Sequence, residues 1–288
     1  MEELIADRQV IDRVKVELYL PVALGLRRCS ILELPTALPD GVELTLGVDE
    51  ACKAEYEAVL RETDPARKWP LIISLKQCLQ RHFEEKVLRS NSCKALYYWE
   101  KHLGLRRYGI PLRPTIHELY LFKNWLDSWR VQRLAEERLQ LREQALRAPG
   151  GGFTPFPEEF SPDYIREAGK LLGYPECCVE AYCKDRMAGT VVEIRLSNQI
   201  QTIRREGKAP DHLPFFVKDF YPCRPDCVKA EGTGRRLYEA LKDLSPRLGE
   251  IYWHCLERNM EYMENYEVHL REHQAELERR LSRFQLTL

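Results

Sequence analysis

Two short segments, fifty positions apart from first cysteine to last, constrain this chain more than anything else in it. They are Gly173-Tyr-Pro-Glu-Cys-Cys-Val-Glu-Ala-Tyr-Cys183 and Tyr221-Pro-Cys-Arg-Pro-Asp-Cys227, and together they hold five of the ten cysteines. Each contains the triplet Pro-acid-Cys: Pro175-Glu176-Cys177 and Pro225-Asp226-Cys227. A triplet of this kind specifies a helix start. Proline suits the first helical position because its missing N–H would be unpaired there anyway. The carboxylate beside it answers the positive end of the helix dipole. The cysteine then falls in the first turn, among N–H groups without intrahelical partners, where thiolate is favoured over thiol.

Each triplet has one further cysteine beside it, Cys178 and Cys223. If the two helix starts face each other, four sulfurs converge: Cys177, Cys178, Cys223 and Cys227. A four-thiolate set binds zinc or an iron–sulfur cluster. Cys223 and Cys227 have zinc-knuckle spacing, whereas the adjacent pair Cys177-Cys178 fits neither a knuckle nor a ferredoxin run. An adjacent pair also closes a strained disulfide ring. Cys183 lies five positions after Cys178 on the same predicted helix, off the face of its neighbour, and reads as a core cysteine or at best a fifth ligand.

These segments resemble an uncharacterised prokaryotic family, the domain of unknown function 483. The residues that carry the resemblance are Gly173, Tyr174, Pro175, Cys177, Cys178, Pro222, Cys223, Pro225 and Cys227, within a span of Ser161 to Leu244. The resemblance implies the four-cysteine set and a prokaryotic origin; it implies no activity, and Cys183 lies outside its pattern.

Function classes narrow with charge and hydropathy. Charged residues make up 31% of the 288 positions and nearly cancel, leaving a formal net charge of −1. No general attraction to nucleic acid or to a membrane surface follows. The apolar run near Leu18–Leu26 is too short to span a bilayer. The first residues lack the basic start and apolar core of a signal peptide, so a cytoplasmic protein with reduced or metal-bound cysteines is expected.

The predicted fold is mainly α, with helical domains, a small β-hairpin near the N-terminus and a long C-terminal helix. A helix is expected up to about Tyr19, ended by Pro21. Ile31–Leu34 and Val42–Leu46 are expected to pair as the hairpin through the turn Pro39-Asp40-Gly41. Asp49 is expected to cap a helix on which Cys52 has no obvious partner. Trp69–Gly104 reads as helical, with Ser92 capping its second helix, and Cys78 and Cys93 read as core cysteines. Thr115 is expected to begin one long helix to about Arg147, with Leu119, Phe122, Leu126 and Trp129 as its apolar face. Three glycines and three prolines between Pro149 and Pro157 cannot continue it. The expected organisation is therefore an N-terminal helical region over 1–148, a linker or loop over 149–160, and a cysteine-site domain over 161–288.

In that last domain the cysteine pair sits in a helix–turn–helix corner. Its first turn is Glu-Cys-Cys, with no basic or amide residue to read base edges, so nucleic acid is not the expected partner. Arg195, Arg204, Arg205 and Lys208 form a basic patch, read as a solvated face before an anion site. Phe215, Phe216, Phe220 and Tyr221 are expected to wall the sulfurs from water. Gly232 and Gly234 inside a helix read as close-packing positions before points where a ligand approaches the backbone. A final helix from Pro246 towards Phe284 carries Met260, Met263, Leu270, Leu277, Leu281 and Phe284 at near-heptad spacing, able to pack on another helix or on a second copy of the chain. His269 and His273 read as a solvated face before a metal pair.

Three functions follow. The first is an iron–sulfur protein, with redox or sulfur-handling chemistry at a cluster held by the four cysteines. The second is a zinc-stapled scaffold that binds a partner through its long charged helices. The third is metal-free thiol chemistry, with Cys178 or Cys227 attacking and His212 or His254 as base.

Overall fold

The computed structural model describes residues 1–147 and 156–283. Two compact units result: Met1–Gly25 with Cys29–Ser128, and Leu26–Arg28 with Trp129 onward. The chain is mainly helical with one small antiparallel sheet. Most of the expected 149–160 linker, residues 149–155, lies outside the described residues.

The first unit begins with α1 (Glu2–Ala6), a π-helical run (Val14–Tyr19) and α2 (Leu20–Ala23). All six residues of the π run are buried, Lys15 and Glu17 included. With every position of that run buried, Val10, Ile11, Val14 and Leu18 fall at helical spacing while Val14, Val16, Leu18 and Leu20 also alternate as in a strand. Pro21 does not interrupt the helix; it sits in the first turn of α2, where a missing N–H is tolerated.

The strand β1 (Cys29–Leu34) forms where expected, but its hairpin partner does not. Val42–Leu46 lies inside α3 (Gly41–Ala51), with Asp40 rather than Asp49 at the helix start. Val42 is 68% exposed and Leu46 37%, so their alternation marks no buried sheet face. β1 pairs instead with β3 (Ile116–Phe122), Cys29 opposite Phe122 and Leu34 opposite His117. The other edge of β3 is taken by β2 (Arg106–Arg113), giving the order β1-β3-β2. The helix expected from Thr115 therefore begins only at Ser128. The central strand is buried at every position from Glu118 to Phe122, and a strand covered on both faces loses the alternation that identifies strands. What remained was an apolar spacing of three and four that imitates a helix.

Between these strands run α4 (Lys53–Arg61), α5 (Pro65–Phe83), a π turn (Glu84–Leu88) and α6 (Asn91–His102). Ser90, not Ser92, caps α6 by accepting from the Cys93 N–H; Ser92 donates to Asp40 instead. Cys78 and Cys93 are buried, as expected.

The second unit is helical: α7 (Ser128–Arg147), α8 (Pro162–Leu172), α9 (Glu176–Met187), α10 (Val192–Arg205), α11 (Val228–Leu244), α12 (Pro246–Glu264) and α13 (Tyr266–Arg283). Its core packs Val192, Leu196 and Ile200 of α10 against Phe215 and against Met260 and Met263 of α12. Glu158, which is 2% exposed, accepts from Arg138 and Arg142 and so ties the residues before α8 to α7. The expected single C-terminal helix is two, separated at Asn265, whose φ of −102° and ψ of 20° leave the helical region. Phe284, the last member of the expected heptad seam, lies outside the described residues. Among the described residues, no helix is long and apolar enough to cross a membrane.

Candidate metal centre

The corner that presents the first cysteine pair is built by local rules. Ser161 caps α8, and Gly173 closes it with a φ of +73°, a left-handed conformation that glycine adopts without a Cβ penalty. Two residues later Pro175 is the cap of α9 rather than its first helical residue, and its carbonyl accepts from the N–H groups of Cys178 and Val179. Cys177 and Cys178 therefore lie in the first turn, as their triplet predicted.

The second start differs by one step. Cys227 is itself the cap of α11, so Pro225 and Asp226 precede the helix. The Cys227 N–H donates to the Arg224 carbonyl and closes a tight turn between the two cysteines of this segment. Its side chain makes no capping hydrogen bond, so the sulfur is left to the other three thiols.

All four predicted sulfurs converge, within 4.8 Å of one another. Cys177 Sγ lies 3.9 Å from Cys178 Sγ and 3.7 Å from Cys227 Sγ, and Cys178 Sγ lies 3.6 Å from Cys227 Sγ. The Cys223 N–H donates to Cys178 Sγ at 3.4 Å. Cys178 and Cys227 are buried; Cys177 and Cys223 are half-buried. The four cysteines could hold a metal ion.

Electrostatics divides the set. Burial pushes the Cys178 thiol well above its ordinary range. Burial and the neighbouring Cys227 push Cys223 up to about 11. At Cys227 burial acts in the same direction, but the nearby Ala230 N–H and the surrounding thiols outweigh it and hold the thiol below its ordinary value. The helix start thus favours one thiolate, and the crowding of the others favours protons or a cation.

The surroundings hold this geometry. Arg195 was read as part of a basic patch, and the structure gives it a different role. Its guanidinium donates to the carbonyl of Cys223 at 2.8 Å and of Pro222 at 3.3 Å, while Asp185 accepts from its Nε at 2.7 Å. Arg195 on α10 therefore fastens the second cysteine segment to α9. Arg204 pairs with Glu264 and Lys208 with Glu206, consistent with a solvated face. The cue for Arg195 is its half-buried position on the apolar helix α10, a feature of packing that the residue string does not display.

The aromatic residues expected as a wall pack on one another and, for Phe215, in the core with α10 and α12, while Cys177 and Cys223 stay half-buried. Tyr174 packs on Phe220 at 4.8 Å and Phe216 on Phe220 at 4.2 Å, while Tyr182 stacks on Tyr221 at 5.8 Å. α12 anchors this packing: Tyr252 donates to the Phe216 carbonyl and Asn259 to that of Phe215.

Other candidates do not join the sulfurs. Cys183 is buried against Ile165 and Val179, and its thiol meets the Pro162 carbonyl at 3.8 Å. His212 packs against Trp253, and His254 pairs with Glu257. His269 stacks on Tyr262 and lies 3.4 Å from Glu272; it forms no metal-holding group with His273 among the described residues.

A family model described as a protein of unknown function (DUF483) matches residues 106–245. No curated protein and no solved structure matches the chain. The matched span begins well before Ser161, so it takes in β2, β3 and α7 as well as both cysteine segments. Over residues 106–245, which include every converging sulfur of the centre, the chain resembles that family.

Proposed function

We propose that the chain is a zinc protein in which Cys177, Cys178, Cys223 and Cys227 hold one Zn²⁺ as a closed structural staple between two helix starts. The observation that carries this reading is the sulfur spacing. Four thiolates about 2.3 Å from one tetrahedral ion stand roughly 3.8 Å apart. Three of the six sulfur separations are 3.6, 3.7 and 3.9 Å. A cluster core puts each cysteine on an iron with sulfides between, which demands sulfurs farther apart than ligands of a single ion. The spacing therefore supports a mononuclear site over the iron–sulfur cluster that the sequence also allowed. Four protein ligands leave no position for substrate, so the ion would contribute folding energy and hold the Arg195-fastened turn in place.

Metal analysis after anaerobic purification tests this. The expected result is a colourless tetrathiolate zinc that Cys223→Ser loses. Replacement by cobalt(II) should give intense sulfur-to-metal absorption in the native chain and a weakened band in the variant. Iron with acid-labile sulfide at these cysteines would overturn the reading in favour of redox or sulfur-transfer chemistry. Four titratable thiols that no added zinc protects would overturn it in favour of free thiol chemistry.

A further inference from the structure

A second convergence of soft ligands lies in the first unit, in a stretch that the family match does not reach. Cys52, between α3 and α4, meets Cys78 of α5 with their sulfurs 3.2 Å apart. His82 follows Cys78 by four residues on the same helix, a spacing that puts both side chains on one face. Ligand atoms of Cys52, Cys78 and His82 all lie within 4.8 Å of one another. The two cysteines are buried and the histidine half-buried.

The histidine carries the second observation. Its Nδ1 is buried and makes no hydrogen bond, although the Glu85 carboxylate stands 3.3 Å away. A buried polar atom without a hydrogen bond costs free energy and calls for an explanation. The two thiols lie against each other, and the Arg81 guanidinium approaches Cys78 Sγ at 3.7 Å. From the residue string, Cys52 read as partnerless and Cys78 as core, because the pairing joins α5 to the junction of α3 and α4.

We infer that Cys52, Cys78 and His82 form a second metal site, taking a thiophilic divalent cation of the zinc class through two sulfurs and an imidazole. Two thiolates and one imidazole suit zinc and cobalt once the sulfurs part from 3.2 Å to the roughly 3.8 Å of a tetrahedral ion, and three protein ligands leave a fourth position for water or an added ligand. This site differs in kind from the closed tetrathiolate: it is exchangeable where the other is saturated. Its assignment does not depend on that reading, because the two ligand sets share no residue.

The full chain, purified anaerobically and titrated with zinc alone and then cobalt(II) alone, tests the inference. Native chain should bind two equivalents, Cys52→Ser one, and Cys223→Ser should lose the other. Added imidazole or cyanide should shift only the part of the cobalt spectrum that Cys52→Ser removes. His82→Ala, at a less buried position, provides a variant with less risk to folding; it should weaken the second equivalent at least tenfold with an unchanged circular dichroism spectrum. The same metal stoichiometry in native chain, Cys52→Ser and His82→Ala would overturn the inference, whatever the tetrathiolate does. So would a Cys52–Cys78 disulfide, seen as two thiols lost on mild oxidation and no metal bound there under reduction.

Discussion

At the scale of the residue, the proposed metal centre depends on groups other than the four cysteines. Arg195 donates to two carbonyls of the second cysteine segment, so removing it frees the turn without touching a sulfur. Groups that orient ligands in this way typically contribute ten- to hundredfold in metal affinity. Arg195→Ala should weaken zinc binding by about that factor in a chelator competition while leaving the stoichiometry unchanged. A variant with native affinity would reduce Arg195 to a packing role. Protonation offers a second prediction. Cys178 and Cys223 are both raised, so at neutral pH each holds its proton in the metal-free chain, and zinc must displace both. Affinity should therefore rise with pH, by at least roughly a hundredfold per unit, because the release of these two protons alone gives that slope. Proton release measured in weakly buffered solution checks this. Release of less than one proton per zinc at pH 7 would contradict it.

At the scale of the element, α11 has to approach its neighbour more closely than a side chain permits. A Cβ built on Gly234 would stand 2.0 Å from the Leu213 carbonyl oxygen, whereas one on Gly232 would meet nothing. The same residue type, two positions apart in one helix, should thus respond in opposite directions. Gly234→Ala should destabilise the fold by about 1–3 kcal/mol through overpacking. Gly232→Ala should stabilise it by up to ~1 kcal/mol, because alanine is the better helix former. Urea denaturation of both variants checks the pair, and equal effects would mean that α11 shifts to accommodate the added carbon. Helices of this unit were legible in the sequence because their ends are local. Ser161 caps α8, Gly173 closes it and Pro246 opens α12, each within a turn of the helix it bounds. The break at Asn265 had no comparable local mark and was missed.

At the scale of the whole molecule, a zinc that binds only the folded chain adds to its stability by mass action. Above the dissociation constant, each tenfold rise in free zinc should raise the unfolding free energy by about 1.4 kcal/mol per bound ion. Thermal melts across buffered zinc concentrations measure it. The dependence should be weaker in Cys223→Ser, and a native melting temperature insensitive to zinc would count against a structural staple.

The sequence by itself determined which four sulfurs meet. A proline, an acid and a cysteine at a helix start are read within one turn, and two such starts sufficed to name Cys177, Cys178, Cys223 and Cys227. Tertiary structure alone decided the rest. β1 takes its partner from residues 116–122 rather than from the adjacent 42–46, because register follows which faces are buried across the whole sheet. Cys52 meets Cys78, and Arg195 meets the Cys223 carbonyl, across separate elements. The geometry of packing, rather than any local pattern of residues, chooses which groups arrive at the same place.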